Sequence, residues 1–117
     1  MSEARADVRV PRLAVPEDGG LMVHVHGTLT VAIFRVDDQY YAIDNRCPHK
    51  GGPFGEGALT GPVVRCPWHG FRVDVRTGRC PHNPTLRVQT FPVVQEGDML
   101  RVVTTAPGNS AQPLMER

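Results

Sequence analysis

The sequence offers no disulfide framework: its cysteines number three, and an odd count in a reducing compartment points to metal or redox chemistry instead. It also lacks a dominant charge. With 13 Lys and Arg against 12 Asp and Glu there is no basic field for nucleic acid or an anionic membrane, which leaves proteins as the expected partners. No apolar run approaches the length of a membrane span, and the opening residues, MSEARADVRVPRLAVPEDGG, hold nothing like the apolar stretch of a signal peptide. A cytoplasmic location is the expectation. A sustained helical stripe is missing too, and 11 prolines with 12 glycines would interrupt one. No internal repeat is present.

What the chain does have is an apolar period close to two, in short valine-rich runs bounded by Gly, Pro and Asp. This predicts an all-β fold with strands at Val8 to Leu13, Leu21 to His26, Leu29 to Val36, Gln39 to Asp44, Pro62 to Arg65, Phe71 to Val75, Val88 to Gln95 and Met99 to Thr104. Asp37-Asp38 and Glu96-Gly97-Asp98 would close hairpins. A short helical turn is expected within Gly51 to Gly61. The 117 residues suffice for one compact domain, read here as residues 1–105, with 106–117 as a flexible tail.

The chemistry is concentrated in CPHKGGPFGEGALTGPVVRCPWH, residues 47–69. Cys47, His49, Cys66 and His69 follow the spacing C-x-H-x16-C-x2-H on two loops, each stiffened by a proline (Pro48, Pro67). Glycines at Gly51, Gly52 and Gly70 allow the backbone to approach something bulky. Two thiolates and two neutral imidazoles suit either a tetrahedral zinc ion or an asymmetric two-iron cluster. Structural zinc sites usually draw both cysteines from one knuckle and both histidines from one helix. Here each loop supplies one of each, as expected if each loop gave one ligand to each iron of a 2Fe-2S centre.

Through Cys47-Pro48-His49 and Cys66-Pro67-Trp68-His69-Gly70 the chain resembles the Rieske-type 2Fe-2S ferredoxins. The resemblance continues through FRVDVRTG (residues 71–78), Pro84 and Thr90-Phe91-Pro92-Val93, over roughly residues 6–104. It implies one 2Fe-2S cluster per chain, with Cys47 and Cys66 on an inner iron and His49 and His69 on an outer iron. It implies three stacked antiparallel sheets and a cluster-binding subdomain at one tip, with loops over about residues 45–84 and a proline loop near Pro84. Neutral imidazoles remove negative charge, so the potential rises above that of an all-cysteine centre and the added electron settles near the histidine edge. With every coordination position filled, the chain alone is expected to catalyse nothing.

The resemblance implies two circuits. CPWHGFRVDVRTG with TFPV is similar to ferredoxin components of ring-hydroxylating oxygenases, which carry electrons from a flavin reductase to a terminal oxygenase. IDNRCPHKGGPFGEG is similar to the small subunit of assimilatory NAD(P)H nitrite reductases, whose partner would be the large subunit. A zinc-stapled interaction module is a third reading. Of the remaining residues, Trp68 either packs in the core or shields the cluster, and Phe54 and Phe71 are expected to pack under the loops. Cys80 reads as a buried inert thiol, and His24, His26 and His82 as ordinary residues. Arg46, Lys50 and Arg65 flank the ligands as solvated or docking charges.

Overall fold

The run Val31-Ala32-Ile33-Phe34 is buried without interruption, and that follows from its place in the molecule. The structure, a computed structural model, describes residues 7–26, 29–46, 52–67, 70–81 and 83–104. Among these residues twelve strands follow one another: β1 (Val8–Pro11), β2 (Gly20–His26), β3 (Leu29–Val36), β4 (Gln39–Asp44), β5 (Ala58–Thr60), β6 (Val63–Arg65), β7 (Arg72–Asp74), β8 (Arg79–Cys80), β9 (Asn83–Arg87), β10 (Thr90–Phe91), β11 (Val93–Glu96) and β12 (Met99–Val102). They form three antiparallel sheets ordered β1-β12-β11, β10-β4-β3-β2 and β5-β6-β7-β8-β9. Among the described residues the only helical pieces are 3-10 turns at Arg12–Ala14 and Phe54–Glu56, the second inside the stretch expected to hold one.

Side chains alternate across a strand, so the four-stranded sheet feeds two cores at once. Ala32, Phe34 and Ile43 join Phe54, Val64, Cys66, Val73, Val75 and Val88 on one side. Val31, Ile33 and Ala42 join Val10, Val15, Phe91, Leu100 and Val102 on the other. The four-stranded sheet is therefore the middle layer, and a strand buried on both faces reads as a continuous apolar run. The turn between β3 and β4 places Asp37 at φ 51° and Asp38 at φ 67°, the left-handed pair that a two-residue hairpin requires. Arg35 Nη2 holds Asp38 Oδ1 at 2.8 Å across its base.

Three expectations need correction. Val88 to Gln95 is not one strand: Thr90–Phe91 pairs with β4 and Val93–Glu96 with β12, so the chain changes sheet at Pro92, which has no N–H to give a ladder. The sequence pattern also passes over β5, β8 and β9. Pro84 lies on β9 rather than at the centre of a loop; β9 is the edge of its sheet, where a missing donor is tolerated. Residues 106–117, expected to be a tail, lie outside the described residues.

Candidate cluster-binding site

Both sequence-predicted loops leave and re-enter the structure through hydrogen-bonded necks. At the first, β4 ends and Asn45 takes over. Its amide donates to Thr30 O at 2.8 Å, its carbonyl accepts from the Phe54 amide at 2.8 Å, and its side-chain Oδ1 accepts from the Gly55 amide at 2.7 Å. Asp44 Oδ1 accepts from the Arg46 amide at 3.0 Å, and Arg46 bridges to Pro53. The ends of the segment 46–53 are thereby pinned together, and Phe54, fully buried in the core, anchors its return. Burial of such a side chain is worth about 1.5–3 kcal/mol.

The second neck is tighter. The Cys66 amide donates to Phe71 O at 2.7 Å and the Gly70 amide donates to Cys66 O at 2.9 Å, so the two ends of the 66–71 segment are tied together. Gly70 sits at φ 75°, the left-handed region where a side chain would be strained. The Arg65 guanidinium lies against it: a Cβ on Gly70 would stand 3.0 Å from Arg65 Nε. Gly57 is required for a different reason, since a Cβ there would overlap the Arg65 carbonyl.

Cys66 is 1% exposed, carries no disulfide and belongs to the core that includes Phe54, with Phe71 packed against that core. The two rings stand 6.4 Å apart at 47°. Both aromatics thus pack in the core beside Cys66. An open depression of about 570 Å3 meets this turn, lined by Glu56, Gly57, Ala58, Arg65, Cys66, Pro67 and Gly70. A buried, unpaired thiol on a closed turn suits a thiolate ligand of an iron–sulfur centre: the sulfur is held still and shielded from water. Cys47, His49 and His69 lie outside the described residues, as do Trp68, Lys50 and His82. Among the described residues no three of His, Cys, Asp and Glu come together.

Cys80 is buried and free, in line with the inert reading, and His24 is exposed on β2. Arg46 and Arg65 are exposed. Asp74, at the end of β7, accepts from the Arg76 amide at 2.9 Å and from Arg76 Nε and Nη2 at 3.1 and 2.9 Å. Those bonds from Arg76 hold the Asp74 carboxyl below the usual aspartate range. The site residues that pattern reading missed are Asn45 and Gly57. Asn directly after a strand is a turn signal, which marks Asn45 as a neck residue; nothing local marks Gly57.

The family model for the Rieske [2Fe-2S] domain matches residues 10–92. The ferredoxin component of a naphthalene 1,2-dioxygenase system from Pseudomonas aeruginosa is 37% identical over 89 residues, which is 75% of this chain and 85% of that protein. A solved structure described as the complex of reduced oxygenase and oxidized ferredoxin in carbazole 1,9a-dioxygenase contains a chain with TM-score 0.77 and 27% identity, covering 86% of this chain and 94% of that one. An NADH-dependent nitrite reductase small subunit, so described, from Mycobacterium tuberculosis aligns with TM-score 0.74 over 84% of this chain and 94% of that one; at 21% identity the likeness is one of fold.

Proposed function

Because the chain belongs to the Rieske [2Fe-2S] family of ferredoxins, we propose that it takes single electrons from a flavin reductase and delivers them to a terminal oxygenase. It binds one 2Fe-2S cluster, and it is an electron carrier. The ligands in this reading are Cys47, His49, Cys66 and His69. The observation that carries it is the placement of Cys66: a buried free thiol on a hydrogen-bonded turn between two strands, at the position the paired motif demands. The cluster supplies a one-electron couple, and its imidazole side is the electron port.

The chain's own residues do the rest. Asn45 and the 66–71 turn hold the two loop bases, so little reorganisation accompanies a change of charge. Phe54 and Phe71 keep water from the thiolate side. Residues 1–105 form the working unit, and the tail 106–117 is dispensable to it; the last strand ends at Val102 and the family match at residue 92. A cytoplasmic location is supported by the buried thiol of Cys80, which forms no disulfide. Among the described residues no helix is long and apolar enough to cross a membrane.

The second reading, a small subunit of an assimilatory NAD(P)H nitrite reductase, has behind it the likeness of the stretch IDNRCPHKGGPFGEG and, among solved structures, a likeness of fold. Affinity capture from an extract of the native host separates the two. A flavoprotein and an oxygenase retained with the holoprotein are the expected result, and a siroheme protein in their place would overturn the carrier role.

A further inference from the structure

Charge is close to balanced over the chain but not within it. Positions 46–87 carry seven Lys or Arg against two Asp or Glu, whereas the other positions carry six against ten. The stretch from the first loop through β9 is therefore basic and the remainder of the chain acidic.

Strand register concentrates that charge on one face. Arg65 and Arg72 stand directly opposite each other on β6 and β7, as do Arg79 and Arg87 on β8 and β9. All four are exposed, while Val64, Val73 and Cys80 beside them are buried on the other face. Like charges placed opposite each other across a ladder cost stability, and the fold gains nothing from them at solvent-facing positions. The one carboxylate on these five strands, Asp74, has both oxygens engaged by Arg76.

Arg65 connects this face to the cluster loop. Its guanidinium lies on Gly70, and it lines two depressions: the one that reaches Cys66, and another of about 480 Å3 formed with Ala58, Thr60, Val63, Arg72 and Pro81. Arg65 thus carries the basic face to the lip of the loop that holds Cys66, where the exposed Glu56 also stands.

We infer that the exposed face of β5–β9, centred on Arg65, Arg72, Arg79 and Arg87, is a docking surface for an acidic patch on the protein redox partner, and that it brings that partner onto the Cys66 loop. This rests on the electron-carrier function above. The acidic remainder of the chain reinforces the choice of orientation, because it repels the same partner. Steering of this kind raises association rates by roughly ten- to a thousandfold and fades as salt shortens the Debye length.

The test uses reduced holoprotein and follows its oxidation by stopped flow, with an acidic b-type cytochrome as acceptor and a basic c-type cytochrome as control. The rate with the acidic cytochrome is expected to fall as salt rises. The double variant Arg79→Glu/Arg87→Glu should lower it by about tenfold at low salt. Arg9→Glu, a charge reversal on β1, should leave it within about twofold. An unaltered visible spectrum establishes that each variant is folded and loaded. A salt-independent rate, an Arg9→Glu effect equal to that of the β8–β9 variant, or retention of duplex DNA at physiological salt would overturn the docking surface. A protein with no reducible visible band would instead overturn the carrier function, so the two failures are distinct.

Discussion

Asn45 Oδ1 accepts the Gly55 amide at 2.7 Å, and the Asn45 carbonyl accepts the neighbouring Phe54 amide at 2.8 Å, so one residue ties off both ends of the first loop. Gly55 is buried, and its N–H would have no water to replace the lost acceptor. Asn45→Ala should therefore cost about 1–3 kcal/mol. Thermal unfolding of the holoprotein, with the rate of iron loss to a chelator as second readout, checks this. Unchanged values for both would show that the loop is closed by other contacts.

Gly57 packs its Cα face against the Arg65 carbonyl, the residue that leads into Cys66. Because backbone rather than a flexible side chain is in the way, β5 must move for any Cβ to fit. Gly57→Ala should destabilise by about 1–3 kcal/mol and loosen the second loop with it. Gly61, which has open space around its Cβ position, is the comparison: Gly61→Asn should be nearly neutral. Urea titration of the two variants distinguishes close approach from turn strain.

The Asp74 carboxyl titrates below its ordinary value in the folded protein, first because its side chain bonds to Arg76. A depressed folded-state value means that the stabilisation is present above the unfolded-state value and is lost as pH falls through the folded one. Asp74→Asn should cost about 1 kcal/mol near neutral pH and converge with the wild type in strong acid. Equal destabilisation at every pH would assign the effect to packing of the 74–78 turn instead.

Much of this fold is legible in the sequence. The runs over residues 29–36 and 39–44 announce β3 and β4 to the residue, because β3 is built around the unbroken buried run Val31 to Phe34 and the Asp37-Asp38 turn marks where it gives way to β4. The short strands of the cluster sheet are different: Arg79–Cys80 has two residues and no period, and pairing alone makes it a strand. Pro84 reads as a loop residue until the sheet order places it on an edge. At the site, Cys66 is marked by its motif, whereas the role of Gly57 depends on which carbonyl the fold brings against it.

The potential should lie at the low end of the Rieske range, on the order of −150 mV. High-potential members of the family carry an additional cysteine in each loop and hydroxyls aimed at cluster sulfurs. The matching positions here are Gly52 and Trp68 for the cysteines, and Phe71 and Val73 for the hydroxyls. Val73 is fully buried and neither Phe71 nor Val73 has a side-chain donor, so neither position can give a cluster sulfur a side-chain hydrogen bond. Protein-film voltammetry should place the wild type below zero and Phe71→Ser above it in relative position. A wild-type value well above zero would remove the match to a flavin reductase, and an unshifted Phe71→Ser would remove the hydrogen-bond explanation.

The most direct measurement is iron, zinc and acid-labile sulfide analysis of the purified chain, combined with a one-electron reductive titration followed in the visible. Two irons, two sulfides and one electron per chain are the predicted result, with all three lost in Cys66→Ser and all three retained in His24→Ala. A colourless protein holding one zinc per chain, or a Cys66→Ser variant with full iron, sulfide and absorption, would contradict it.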